Sequence, residues 1–226
     1  MPRDTLTLER IVQAAVELLD AEGMDGLSMR QLGVKLGTAA TAVYWHVESK
    51  DNLVVLAADQ AFGEIELPEP SVAGWQSAAT AMATSMYEMI MRHPWLLAVM
   101  STHLVYGPGK ARHDDHLLAV YEAAGFAGQA ADQATQIVVT FVLGTALGAA
   151  ADHAWRTRLR RSGGDEGQQL HEVAERVTQI ARQFPRLRAR NEAWSADVMI
   201  EDPGKTLKSG VQTILDGLQV RLSLQS

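Results

Sequence analysis

The sequence predicts an all-α protein in which a three-helix helix-turn-helix head precedes a larger helical domain. Three observations support this. Apolar residues recur at helical spacing through most of the 226 residues, and a helix–glycine–helix segment lies between Ser28 and Val47. A stretch with two prolines and three glutamates, 64–70, interrupts the periodicity. We therefore expect a head over 1–48, a connecting helix and linker over 49–70, and a C-terminal domain over 71–226.

Local signals mark the helices of the head. Ser28, with Gln31 three positions later, has the spacing of a capping box and predicts the start of the second helix. Gly37 is expected to end that helix in the left-handed conformation, and Thr38 can cap the third. Gly23 is expected to end the first helix. The inner face of that first helix is Leu8, Ile11, Val12, Ala15, Val16 and Leu19.

The third helix has one apolar face, and mostly small or polar residues cover the rest of its surface. Val43 and Val47 are four residues apart and are expected to pack inward. Ser49 can cap a fourth helix that runs to about Gly63. The side chains left for the surface of the third helix are Ala40, Thr41, Ala42, Tyr44 and His46.

The C-terminal domain is predicted to contain five helices. Ser71 can cap a long helix that ends at Pro94, and a short helix follows over 95–100. A Gly-Pro-Gly break at 107–109 should precede a helix over 111–124. The longest candidate is 129–155, and the last is 205–222. The segments 156–167 and 184–204 are expected to be irregular.

Two of these helices are candidates for a homodimer interface. Gly144 and Gly148 lie among alanines and would let another helix approach closely, and the last helix repeats apolar residues at helical spacing. The alternative is that both helices are core of one subunit. A two-fold axis would also suit a helix-turn-helix that recognises two half-sites.

The segment LGVKLGTAATAVYWHVESKDNL resembles the TetR family of bacterial one-component repressors, in particular its tetracycline-repressor branch. The Tyr-Trp-His-Val run before a Ser-Lys helix start is its most specific part. Weaker landmarks follow in the larger domain. They are His93-Pro94-Trp95-Leu96-Leu97, His103-Leu104, Ala124-Gly125-Phe126, 141–144 and 214–218. The resemblance implies a homodimeric, ligand-responsive repressor that binds a palindromic operator in double-stranded DNA and is released by a small-molecule effector.

The resemblance assigns DNA contacts residue by residue. Ala40, Thr41 and Ala42 would face the major groove, and alanine and threonine cannot make the bidentate pairings of Arg with guanine. Arg30 would contact a phosphate or a base and Lys50 a phosphate. The wider set of expected DNA contacts also includes Thr38, Tyr44, Trp45 and His46. Trp45 has two alternatives, packing between helices or facing DNA.

The resemblance also implies an effector pocket in the C-terminal domain. Its expected lining is Met82, Met86, Trp95, Met100, Phe141 and His103. Each methionine or aromatic residue could instead be ordinary core. His103 matches the position where tetracycline repressors coordinate a drug-borne magnesium ion, but Gly148 stands where a metal-linked carboxylate is expected. We therefore predict His103 as a hydrogen-bonding pocket residue, with a structural histidine as the alternative, and no metal or cofactor.

Composition narrows the class of protein further. A net charge of −7 argues against a protein that coats nucleic acid through a broad basic surface, so affinity must come from a few cations such as Arg30, Lys35 and Lys50. There is no cysteine, no signal-like N-terminus, and the apolar stretch 137–151 is shorter than a membrane span. These features predict a soluble cytoplasmic protein without a membrane partner.

Other functions have less support in the sequence. His113 and His116 could hold a metal, but no third ligand is indicated. No hydrolase elbow, phosphate loop or dinucleotide motif is present, so an enzyme is not expected. A helical small-molecule-binding protein without DNA regulation is the alternative.

Overall fold

The computed structural model describes residues 6–69, 74–161, 166–193 and 203–224. Within these ranges the chain forms eleven helices and no strand, which confirms the all-α prediction. The first four are α1 (Leu8–Gly26), α2 (Met29–Leu36), α3 (Ala40–Val47) and α4 (Lys50–Gly63). The others are α5 (Trp75–Arg92), α6 (Leu96–Thr102), α7 (Pro108–Ala123), α8 (Gln129–Arg161), α9 (Glu166–Ala181), α10 (Pro185–Ala193) and α11 (Pro203–Ser223).

Capping side chains fix the starts of three of the first four helices. The Thr7 hydroxyl accepts from the Arg10 amide at the start of α1, and the Ser49 hydroxyl accepts from the Asn52 amide at the start of α4. At the start of α2, the Ser28 hydroxyl accepts from the Gln31 amide at 3.2 Å and donates to the Gln31 side chain at 2.8 Å. The caps predicted at Ser28 and Ser49 are confirmed.

Two details of the head differ from the sequence prediction. Thr38 does not cap α3, because the N-cap residue is Ala39 and no side chain accepts from the helix there. Gly23 kinks α1 rather than ending it: its φ of 72° is non-helical, and helical turns continue to Gly26. The glycine allows the change of direction, but three more residues complete another turn.

Helix α4 belongs structurally to both parts of the molecule. Leu53 and Val54 are buried with the head, where α4 packs on α1 and α3. Farther along, Phe62 is fully buried, and α4 packs against α7 of the larger domain. The connecting helix is therefore a structural element shared by the head and the larger domain.

The larger domain is a bundle in which α5, α7, α8 and α11 pack on one another. Gly210 of α11 lies so close to α8 that an added Cβ would come within 2.0 Å of the Phe141 ring. This close approach explains why a small residue occurs there. The core side chains of this bundle include Ala79, Met82, Met86, Met89, Ile90, Leu117, Val120, Tyr121, Val138, Val142, Leu207, Val211 and Leu215.

Three segments predicted to be broken or irregular are helical instead. The Gly-Pro-Gly stretch starts α7, with Pro108 in its first turn, where a missing N–H leaves no helix bond unmade. The segment 156–167 lies in α8 up to Arg161 and in α9 from Glu166. Residues Pro185–Ala193 form α10, while 194–202 and the predicted cap Ser71 lie outside the described residues.

Helix α8 is both long and incompletely covered. Its segment Gln129–Ala151 has the length and composition of a membrane-spanning helix, with a mean hydropathy of 1.7. The apolar stretch 137–151 considered in the sequence is the C-terminal part of this longer segment. The 18-residue window that gives this hydropathy is only 22% buried, although α5, α7 and α11 pack on the helix.

Candidate functional site

The surface of α3 separates packing residues from exposed residues. Val43 and Val47 are fully buried, which confirms the predicted inner face. The outer face exposes Thr41, Tyr44 and His46. Ala40, Ala42 and Thr38 are half-buried at its N-terminal end. The helix thus presents small and polar side chains along its free side while its back holds it to the head.

The angle between α2 and α3 depends on two glycines. Gly37 has φ 66° and ψ 31°, the left-handed conformation that ends α2, as predicted. A Cβ on Gly33 would lie 2.8 Å from the Thr38 carbonyl oxygen and 3.2 Å from the Ala40 amide nitrogen. The Thr38 amide also donates to the Gly33 carbonyl at 2.9 Å. The start of α3 is therefore held directly against the backbone of α2.

Of the two alternatives for Trp45, packing between helices or facing outward, the structure shows the second. Its side chain is 87% exposed, so it does not pack between helices. An indole standing free on the same helix as Tyr44 and His46 adds an apolar, flat surface to the polar face. The Tyr44 side chain is 46% exposed.

The cations of the head differ in their partners. Arg30 is exposed on α2. Lys35 forms an ion pair with Glu17 at 2.8 Å, and this hydrogen bond, followed by one from Gln13, lowers the pKa of Glu17. The Lys50 ammonium donates to the Met24 carbonyl at 3.4 Å and so braces the start of α4 against the end of α1. Of these three cations, Lys35 is the one bound to an acidic side chain.

The predicted pocket residues do not form a single group. Met82 and Met86 are buried in α5, and Met100 is half-buried on the same core. Phe141 packs against α11 at Gly210. Trp95 is 5% exposed, and its indole donates to Asp20 of α1 at 2.7 Å. This contact with the head leaves the predicted pocket role of Trp95 without support.

His103 lies between the larger domain and α4. Its Nδ1 is 2.8 Å from the Thr102 hydroxyl, and its Nε2 is 3.6 Å from a carboxylate oxygen of Asp51 at the start of α4. The imidazole side chain is 20% exposed. The arrangement gives His103 a structural contact with α4, and neither ring nitrogen is without a neighbour.

Three polar atoms in the described part of the larger domain are buried without a hydrogen-bond partner: His113 Nε2, the Tyr121 hydroxyl and Thr135 Oγ1. Burial raises the pKa of Tyr121. In the sequence, His113 stands out only as a candidate metal ligand, and Tyr121 is not distinguished from its neighbours. No spacing in the sequence indicates that a polar atom will lack a partner, because this depends on neighbours from other helices.

His113 and His116 do not share one site. His113 Nδ1 lies 3.1 Å from Asp114, whereas His116 Nε2 lies 2.7 Å from the Pro68 carbonyl. Burial alone would raise the pKa of Asp114, but hydrogen bonds from His113 and Lys110 outweigh it and hold the pKa below its ordinary value. No group of three or more metal-ligating side chains occurs among the described residues.

These features define the class: an all-α helix-turn-helix protein with a helical domain attached through α4. Comparisons with known proteins agree. Residues 67–222 match the family model described as "Tetracyclin repressor-like, C-terminal domain", and residues 11–57 match "Bacterial regulatory proteins, tetR family". The chain belongs to the TetR family of bacterial transcriptional regulators.

Individual relatives are similar over part of their length. An HTH-type transcriptional regulator of Saccharopolyspora erythraea is 38% identical over 151 residues, 67% of this chain and 63% of that protein. The HTH-type transcriptional repressor DrrR1 of Streptomyces coeruleorubidus is 35% identical over 146 residues, 64% of this chain and 54% of that protein. The matches thus span less than two thirds of either relative.

A solved structure matches nearly the whole chain. The apo form of ActR from Streptomyces coelicolor has a TM-score of 0.79 at 26% identity, covering 99% of this chain and 100% of that chain. ActR in complex with actinorhodin has a TM-score of 0.78 at 27% identity, with 96% of each chain covered.

Proposed function

We propose that this protein is a homodimeric transcriptional repressor that binds a palindromic operator and is released by a small-molecule effector. The observation that carries the proposal is the exposed face of α3, where Thr41, Tyr44, Trp45 and His46 stand free. In a helix-turn-helix, the second helix enters the major groove and needs such a face. The TetR family membership supports the same role.

The side chains divide into two kinds of contact. Thr41 offers one hydroxyl, and Ala40 and Ala42 offer methyl groups that suit a thymine methyl. Arg30 and Lys50 supply positive charge for phosphates, with Lys50 exchanging the Met24 carbonyl for a phosphate oxygen. Tyr44, Trp45, His46 and Thr38 complete the contact surface. Because the reading side chains are small, we propose that two heads on one duplex are needed for specificity.

Dimerisation would cover the open side of the larger domain. Ile137 and Leu147 of α8 are 39% and 59% exposed, and Val220 of α11 is 60% exposed. A second copy that packs α8 and α11 into a four-helix bundle would remove these apolar surfaces from water. The same packing accounts for the membrane-like composition of α8 without a membrane, and the protein would act in the cytoplasm, where the DNA is.

The effector would bind among the helices of the larger domain. ActR has been solved with actinorhodin bound. Because the candidate lining combines methionine and aromatic side chains with polar atoms, we propose an aromatic effector that carries polar groups. Met82, Met86, Met100, Phe141 and His103 remain the candidate lining, and the partnerless atoms of His113 and Tyr121 could bond to its oxygens. This is regulation by binding, with no reaction catalysed.

The test starts with DNA selected by the protein itself. A random duplex library is passed over the wild-type chain, and the enriched duplex is used in fluorescence anisotropy at several salt concentrations. We expect a palindrome, a two-chain mass by light scattering, and a large loss of affinity in Thr41→Ala and Tyr44→Ala. The control is Glu122→Ala, an exposed change at the end of α7.

Different failures have different meanings. If no sequence is enriched over random DNA, the repressor function is wrong and a ligand-binding protein without DNA regulation is favoured. For the effector, actinorhodin is the first probe in a thermal-shift assay, because a ligand that binds the native state raises Tm. A bound probe that leaves DNA affinity unchanged would contradict release by effector.

A further inference from the structure

A buried histidine joins the two parts of the molecule. His93, between α5 and α6, is 6% exposed and lies against α1 of the head. Its Nδ1 is 2.7 Å from an Asp20 carboxylate oxygen of α1, and its Nε2 is 3.2 Å from a Glu64 carboxylate oxygen just after α4. One imidazole thus bridges acidic side chains from two different elements.

Neighbouring donors converge on the same carboxylates. The Trp95 indole N–H donates at 2.7 Å to the same oxygen of Asp20 that His93 contacts, and Arg92 contacts the same oxygen of Glu64 at 3.5 Å. The His93 and Trp95 rings meet edge to face with centroids 5.9 Å apart. Both ring nitrogens of His93 therefore lie within hydrogen-bond distance of a carboxylate oxygen.

A second attachment joins α4 to α7 of the larger domain. The Lys110 amide at the start of α7 donates to an Asp59 carboxylate oxygen at 2.8 Å. A Cβ on Gly109 would lie 2.2 Å from the Asp59 carbonyl oxygen and 2.9 Å from the Gly63 amide nitrogen. Backbone therefore touches backbone where α7 meets α4, and the two helices cannot slide without a clash.

The two attachments differ in what they restrain. The contact of α7 with α4 restrains α4 itself, close to its C-terminal end. The contacts of His93 and Trp95 with Asp20 join the larger domain directly to α1, so they fix a second point of the head on that domain. The carboxylates of Asp20 and Glu64 are 34% and 38% exposed, and such ion pairs add little net stability. Directional bonds to a buried ring instead fix orientation.

We propose that His93, Trp95, Asp20 and Glu64 form an interdomain clamp, with His93 as the positioning residue that sets the orientation of the head on the larger domain. In the dimer the clamp would set the distance between the two recognition helices. That consequence rests on the proposed function, whereas the orientation of the head within one chain does not.

The chain lends itself to a direct measurement, because it has no cysteine. Cysteines introduced as Val34→Cys on α2 and Glu122→Cys on α7, both at exposed positions, take spin labels on the head and on the larger domain. Pulsed electron paramagnetic resonance then gives the distribution of distances between the two spin labels. Doubly labelled chain is mixed with excess unlabelled chain, so that only the distance within one chain contributes.

Three variants distinguish loss of the clamp from a general loss of stability. His93→Gln has one amide donor end and cannot reach both carboxylates, and Asp20→Asn removes the acceptor charge shared by His93 and Trp95. Val12→Ala removes a buried methyl pair of the head, 5% exposed, without touching the clamp. We expect the single narrow distance peak to be lost in the first two variants and kept in Val12→Ala, even where Tm falls by the same amount.

The outcomes are distinguishable. Unchanged narrow peaks in both His93→Gln and Asp20→Asn would overturn the clamp, and should one variant fail to fold, the other decides. Affinity for the selected duplex should fall about tenfold in His93→Gln, as the fraction of correctly spaced heads falls. A broadened peak in a protein whose wild type selects no DNA would sustain the clamp and reject the repressor function instead.

Discussion

In the head, polar side chains stand on the surface of α3, whereas in the larger domain polar atoms of His113, Tyr121 and Thr135 are buried without partners. Side chains also cap three of the first four helix starts. The larger domain keeps its unsatisfied groups inside a methionine-rich core. A buried group without a partner costs about 1–3 kcal/mol, which a bound ligand can recover. The difference agrees with our proposal that DNA is recognised on the surface of the head and the effector is bound inside the larger domain.

The largest expected effect tests whether the interior methionines are core or pocket. Met82 is fully buried, so Met82→Ala should lower the free energy of unfolding by about 2–5 kcal/mol. Half-buried Met91→Ala is the control and should cost much less. Urea unfolding measures both. A small loss in Met82→Ala would mean that its side chain faces a cavity, and it would strengthen the pocket assignment.

A second change disturbs the head alone. Gly33→Ala puts a Cβ 2.8 Å from the Thr38 carbonyl, so α3 must shift, at about 1–3 kcal/mol of stability and with loss of DNA affinity. Gly63→Ala is the matched control, because its Cβ would meet nothing within 4 Å and alanine favours the helix by about 0.5–1 kcal/mol. Equal DNA affinity in Gly33→Ala and wild type would show that DNA binding does not depend on the exact position of α3 against α2.

A third change removes one partnerless group. Tyr121→Phe deletes a buried hydroxyl that has no hydrogen-bond partner, and we expect stability to rise by about 1 kcal/mol. Tyr106→Phe, 63% exposed, should be neutral. If thermal unfolding instead shows Tyr121→Phe to be less stable, the hydroxyl has a partner in solution and the contrast between head and interior weakens.

The smallest effect concerns Asp114. Its folded-state pKa lies below the unfolded value of 3.8, so the carboxylate stabilises the fold above that value, and the contribution is lost as the pH falls through the folded pKa. Asp114→Asn should cost less than about 1 kcal/mol at pH 7, since the side chain is 47% exposed. The exposed neighbour Asp115→Asn is the control. A difference between Asp114→Asn and wild type that persists in strong acid would contradict the assignment.

Features set by neighbouring residues could be predicted from the sequence. The caps at Ser28 and Ser49 and the left-handed Gly37 each depend on contacts within a few residues. The predictions that failed took prolines and glycines as signs of a helix break. Pro108 and Pro185 instead begin helices, because proline is well suited to a first turn. The arginine-rich segment after Pro185 is compatible with helix, since arginine is a good helix former.

Features that depend on distant residues could not be predicted. The sequence marked His93 and Trp95 as family landmarks, but their partner Asp20 lies 73 and 75 residues away. Likewise, whether Trp45 packs between helices or is exposed depends on the positions of the other helices, which the sequence does not give. Most of the predicted DNA contacts on α3 are exposed together, whereas the predicted pocket set separates into core residues, a contact with α11 and a contact with α1.

The buried and exposed residues of α3 can change independently during evolution. Val43 and Val47 hold the helix in place, and Thr41 with its exposed neighbours does not contribute to that packing. Under the proposed function, substitutions on the outer side would change which base pairs are preferred without lowering stability. Duplicated copies of such a gene could diverge to new operators through single mutations, each of them folding as well as its ancestor.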